Sequence, residues 1–127
     1  MEKFFHKNRL IGIRVRDFKR GTLSITAKNE PLQVLTFSKP AGTTVAPHRH
    51  QPGKRVTNAL QECLVVITGK VRVDLFGSEK KAVKRVTLHP GDLFIMVSGG
   101  HAVTFLTAAE IYEIKNGPFL HDRIELG

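Results

Sequence analysis

The chain has 127 residues with a single cysteine, a length that suits one domain able to bury roughly two thirds of its unfolded surface without disulfide support. Twenty Lys and Arg against eleven Asp and Glu leave a formal charge of +9, which favours anionic partners such as phosphorylated metabolites or nucleic acid. Cys63 has no partner for an internal disulfide and stands in the apolar run Cys63-Leu64-Val65-Val66-Ile67, so it reads as a small buried hydrophobe.

From the N-terminus, MEKFFHKNRLIGIRVRDFKRG is broken by charges every few residues and lacks the apolar run of a signal peptide or membrane span. A soluble, cytoplasmic protein is expected. Short runs of β character then follow one another: residues 9–16, 22–27, 32–37, 43–50, 59–67, 70–76, 83–88, 93–97, 102–106 and 110–115, many alternating with period two. Turn signals separate them, among them Lys39-Pro40-Ala41-Gly42, Thr68-Gly69, His89-Pro90-Gly91-Asp92 and Ser98-Gly99-Gly100. Ten short strands with no helical period predict a closed antiparallel barrel or sandwich. Val71, Val73 and Leu75 are expected to face inward, with Arg72, Asp74 and Phe76 outward. An outward Phe76 beside Cys63, Val65 and Ile67 implies a covered outer face, hence a homodimer.

The residues that carry chemistry are histidines and acids. His48 and His50 are one residue apart in an extended segment, where side chains i and i+2 share a face, so two imidazoles point the same way. Glu62 opens the next run and interrupts an inward row continued by Leu64 and Val66, a position where a carboxylate is costly unless a cation or donors meet it. Its neighbour Gln61 is a competitor. His101 follows Gly99-Gly100 and opens a run whose alternate residues Val103 and Phe105 read as core. Three imidazoles and one carboxylate suit one divalent ion of iron, manganese, cobalt, nickel or zinc, and an octahedral ion keeps two positions open for water or substrate. His6, His89 and His121 lie in a terminus, a turn and a tail and read as non-ligands.

These residues resemble the motifs of the cupin superfamily. The first motif is similar to Gly42, five residues, His48-Arg49-His50, a gap, then Glu62, six residues and Gly69; that spacing selects Glu62 over Gln61. The second is similar to Pro90-Gly91-Asp92 through Val97-Ser98-Gly99-Gly100-His101. The resemblance spans residues 32–115 and implies a single cupin domain, an all-β jelly-roll barrel (double-stranded β-helix) that pairs into a homodimer. Strands of 9–27 would be added to its sheet and 116–127 would form a short tail. It assigns the metal ligands to His48, His50, Glu62 and His101. Three features depart from the pattern: eleven residues separate His50 from Glu62, Val97 takes the usual proline place, and Phe105 stands where the pattern has asparagine.

A metal site alone names no reaction, since one fold hosts many. An open ion polarises a carbonyl or diol for isomerisation, or binds oxygen for oxidation. Isomerisation also needs a base, and the candidates are Glu113 and Lys115, which share a strand face, Glu113 being the one assigned. Arg49, Lys54 and Arg55 would ring the barrel mouth and hold the phosphate or carboxylate of an anionic or sugar-like ligand. The run Glu113-Ile114-Lys115-Asn116-Gly117-Pro118-Phe119 is similar to that of stand-alone cupins associated with bacterial polysaccharide synthesis. The different reading is a non-enzymatic binding or sensing module. Nucleic-acid binding is disfavoured by scattered charge, one tyrosine and no tryptophan.

Overall fold

Ten strands make up the regular structure in the computed structural model, which describes residues 1–126. They are β1 Glu2–His6, β2 Arg9–Val15, β3 Gly21–Ser24, β4 Leu35–Ser38, β5 Glu62–Thr68, β6 Val71–Phe76, β7 Ala82–Leu88, β8 Leu93–Met96, β9 Gly100–Phe105 and β10 Glu110–Lys115. Every pairing is antiparallel and no helix occurs among the described residues. The all-β expectation therefore holds, but the strands lie in three sheets ordered β1-β2-β8-β5-β10, β7-β6-β9 and β3-β4, and they do not close into a barrel. Two differences from the expected strands accompany this. The run 43–50 stays irregular, and β1 forms where no strand is expected.

Local chemistry sets the hairpins. β1 and β2 are joined by the two-residue loop Lys7-Asn8, with φ of 50° and 63°, the left-handed values whose twist matches paired strands. Thr68 and Val71 are joined through Gly69 and Lys70, and Gly69 adopts a φ of 79°. A Cβ on Gly69 would lie 2.2 Å from the carbonyl oxygen of Ala108, so glycine is required for conformation and for space alike. In the tight turn before β8, the Asp92 amide bonds to the His89 carbonyl at 2.9 Å, while the Asp92 carboxylate accepts from the His89 amide at 2.9 Å and from Arg16 Nε at 3.1 Å.

The five-stranded sheet is the middle of the molecule and is covered on both faces. One face packs on β7-β6-β9, where Val71, Val73 and Leu75 point inward as expected and meet Leu64, Val66, Phe94 and Met96. Gly12 permits this closeness, since a Cβ there would fall 2.7 Å from Phe94 Cζ. The other face is covered by β3, β4 and the segment that connects them, with Ile25, Leu23, Leu32 and Val34 against Ile13, Cys63, Ile95 and Val97. Asp74, expected to face outward, is nevertheless buried, because Arg72 donates to both its oxygens at 2.8 and 3.2 Å and Arg85 stands 3.6 Å away.

Register gathers one set of strand ends. His6 pairs with Arg9, Gly12 with Met96, Met96 with Glu62, and Glu62 with Lys115, while Phe76 pairs with both Ala82 and Gly100. The two large sheets thus present Arg9, Glu62, Lys115, Phe76 and Gly100 at the same end. Residues 106–109 carry β9 of one sheet into β10 of the other, so these two free edges flank one side of the sandwich.

Candidate metal centre

Glu62 and His101 meet at that end, each fixed by its strand. Glu62 lies on the inward row with Leu64 and Val66, and His101, paired with Leu75, lies on the inward row with Val103. Their side chains touch across the sandwich, with His101 Nε2 3.0 Å from Glu62 Oε2. β10 adds Glu113 beside Leu64 and Lys115 beside Glu62. Burial pushes the Glu113 carboxyl above its ordinary value, helped by the neighbouring Glu62 carboxylate; Lys115 and His101 oppose the rise. Lys115 Nζ lies 3.8 Å from Glu113 Oε2.

The backbone of Glu62 is held by its neighbour. Gln61 is only 2% exposed, and alternation turns it away from Glu62 toward the second core face. Its Nε2 donates to Glu30 Oε2 and to the Val97 carbonyl at 3.2 Å; its Oε1 accepts from the Leu32 amide at 3.1 Å. The Gln61 amide donates to Asn116 Oδ1 at 2.8 Å, and Asn116 Nδ2 donates to the Ala59 carbonyl at 3.1 Å and to Thr57 Oγ1 at 3.3 Å. Sequence reasoning weighed Gln61 only as a rival ligand and gave Asn116 no role. The signal for Gln61 was a polar side chain entering an apolar strand one position out of phase with Glu62.

The remaining expected ligands stand on a long strap. Residues 39–60 are exposed throughout and join no sheet. The His48 and His50 rings approach each other edge to face, 5.2 Å between centroids, which keeps the pair together. His48 Nδ1 lies 2.7 Å from the Ala46 carbonyl; a carbonyl only accepts, so Nδ1 is the donor and Nε2 points away from this bond. Arg49, Lys54 and Arg55 are exposed on the same strap, and Arg55 donates only to the nearby Gly53 carbonyl, at 3.4 Å.

The structure therefore brings the four expected ligands into two pairs, Glu62 with His101 and His48 with His50. Among the described residues, no three His, Cys, Asp or Glu side chains converge closely enough to hold a metal ion. The donor types still fit a divalent ion, with imidazole nitrogens and a carboxylate. Among the described residues, no helix is long and apolar enough to cross a membrane. No family model, curated protein or solved structure matches the chain.

Proposed function

We propose that this chain is a metal-binding protein of the cupin type that acts on a small anionic or carbohydrate-like metabolite. The observation that carries the proposal is the 3.0 Å contact of Glu62 with His101 at the foot of a strap bearing two more imidazoles. The strap enters β5 directly before Glu62, and its closing over the free edge of β9 would bring His48 and His50 toward His101. Long irregular segments inside a small domain are uncommon and usually functional, which suits a strap that orders when its histidines bind.

A bound divalent ion would supply Lewis acidity or an oxygen-binding position. The chain's own groups supply the rest. Glu113, whose carboxyl holds a proton more readily than usual, is the acid or base, while Arg49, Lys54 and Arg55 arrive with the histidines and neutralise an anionic ligand. These roles fit sugar isomerisation or epimerisation, as in polysaccharide synthesis, or oxygenation. The second reading is a binding or sensing module without turnover.

Elemental mass spectrometry of the purified protein, with and without reconstitution, tests the centre. Near one equivalent of iron, manganese, nickel, cobalt or zinc is expected, lost in a His48→Ala, His50→Ala double variant that keeps its far-ultraviolet dichroism because the strap lies outside the core. A double variant that retains a full equivalent overturns the assignment.

A further inference from the structure

The segment after β10 runs from a neighbour of Glu62 to a neighbour of His101. β10 ends at Lys115, the register partner of Glu62, and the chain continues to Leu126, whose side chain rests against Gly100, the residue before His101. Packed sheets lie about 10 Å apart and a stretch of about ten residues can reach about 30 Å, so residues 117–126 make this crossing with slack. Alternation puts the open side of Gly100 opposite His101, so the segment wraps the start of β9, the edge strand that carries His101.

Its two ends are held differently. At the near end Asn116 Oδ1 accepts from the Gln61 amide at 2.8 Å and Nδ2 donates to the Ala59 carbonyl at 3.1 Å. Just beyond, Phe119 lies 6.0 Å from the Lys115 ammonium and packs edge to face with His121. The far end rests on one apolar side chain. Gly100 has no left-handed φ, so its backbone does not itself demand glycine. What glycine supplies there is room: a Cβ would lie 2.5 Å from Leu126 Cδ1, whereas the nearest other atom, Phe76 Cβ, stands at 3.4 Å. Leu126 is 39% exposed in this seat, against 84% for Ile124, and Phe119 and Leu120 are exposed as well. A segment fixed by polar bonds at one end and by a single leucine at the other opens locally without disturbing the core.

We propose that residues 117–126 form a lid that controls access to the Glu62–His101 pair, hinged at Asn116 and latched by Leu126 on Gly100. The inference concerns access alone and does not rest on what the pair binds.

Brief treatment of the intact, chelator-treated protein with diethyl pyrocarbonate, read peptide by peptide in a mass spectrometer, gives the modification rate of each histidine. In the wild type His101 should react severalfold more slowly than His48 and His50. Leu126→Asp should raise the His101 rate severalfold while leaving His48, His50 and Tm unchanged, because the latch lies outside the core. Gly100→Ala puts a methyl in the seat of Leu126 and should do the same, and joining it to Leu126→Asp should add nothing to the His101 rate, since both release one latch. Ile124→Asp, an exposed position of the same segment, should leave the His101 rate unchanged. The lid is overturned if wild-type His101 reacts as fast as His48 and His50, if Leu126→Asp leaves its rate unaltered, or if Ile124→Asp raises it as much. Metal content does not enter any of these outcomes, so they stand apart from the metal assignment.

Discussion

Cys63 shows how a single side chain reports the packing around it. It is 2% exposed, lies against the β3-β4 side of the middle sheet, and burial pushes its thiol up to about 11. The folded value exceeds that of the unfolded chain, so folding favours the protonated thiol. Its contribution is complete below about pH 9 and is lost as pH rises through about 11, reaching on the order of 2–3 kcal/mol. Urea unfolding of the wild type and of Cys63→Ala should therefore show a stability gap that shrinks between pH 8 and pH 11. In native protein at pH 8 the thiol should resist alkylation that proceeds at once in urea, and rapid native labelling would contradict this burial.

At the scale of elements, adjacent residues of β5 and its root divide structure from chemistry. Gln61→Ala should cost about 2–3 kcal/mol, because it strands the Leu32 amide and the Val97 carbonyl that Gln61 now satisfies in a buried setting. Glu62→Ala should cost far less, since it removes a carboxylate whose neighbour Glu113 carries the same charge. Chemical denaturation of the two variants measures the contrast, and equal losses would remove the structural role given to Gln61. The alternation of Val71, Val73 and Leu75 and the turn signals at Gly69 and Gly91 were legible in sequence because apolar period and glycine placement act locally. The strand expected over 43–50 was misleading. Its period-two pattern contains one aliphatic side chain larger than alanine, Val45, and a proline, Pro47, that cannot donate to a ladder, so it has little to bury and a broken edge. β1 escaped notice for the opposite reason: five residues crowded with charge suit an edge strand, and only Phe4 among them packs on the core. The pairing of Glu62 with His101 was legible as inward alternation, whereas their separation from His48 and His50 depends on how a strap of 22 residues, 39–60, lies, which no local pattern encodes.

At the scale of the whole molecule, the chain itself supplies part of the cover that composition assigned to a partner. Cys63 and Val65 are packed under the β3-β4 hairpin, so the outer apolar row of β5 is explained within one chain. What remains uncovered is the edge strand β10, where Tyr112 and Ile114 are 64% and 51% exposed on that same face, with Ile67 of β5 at 49%. A net charge of +9 opposes self-association, so a second copy would have to join through this row, where apolar burial outweighs repulsion that salt screens. We therefore expect light scattering to find a dimer whose dissociation weakens with added salt. Ile114→Lys should convert it to a monomer without unfolding it, because position 114 faces solvent in the single chain. A monomer in the wild type at every salt concentration would leave the row as ordinary exposed surface, and a dimer untouched by Ile114→Lys would move the interface away from β10.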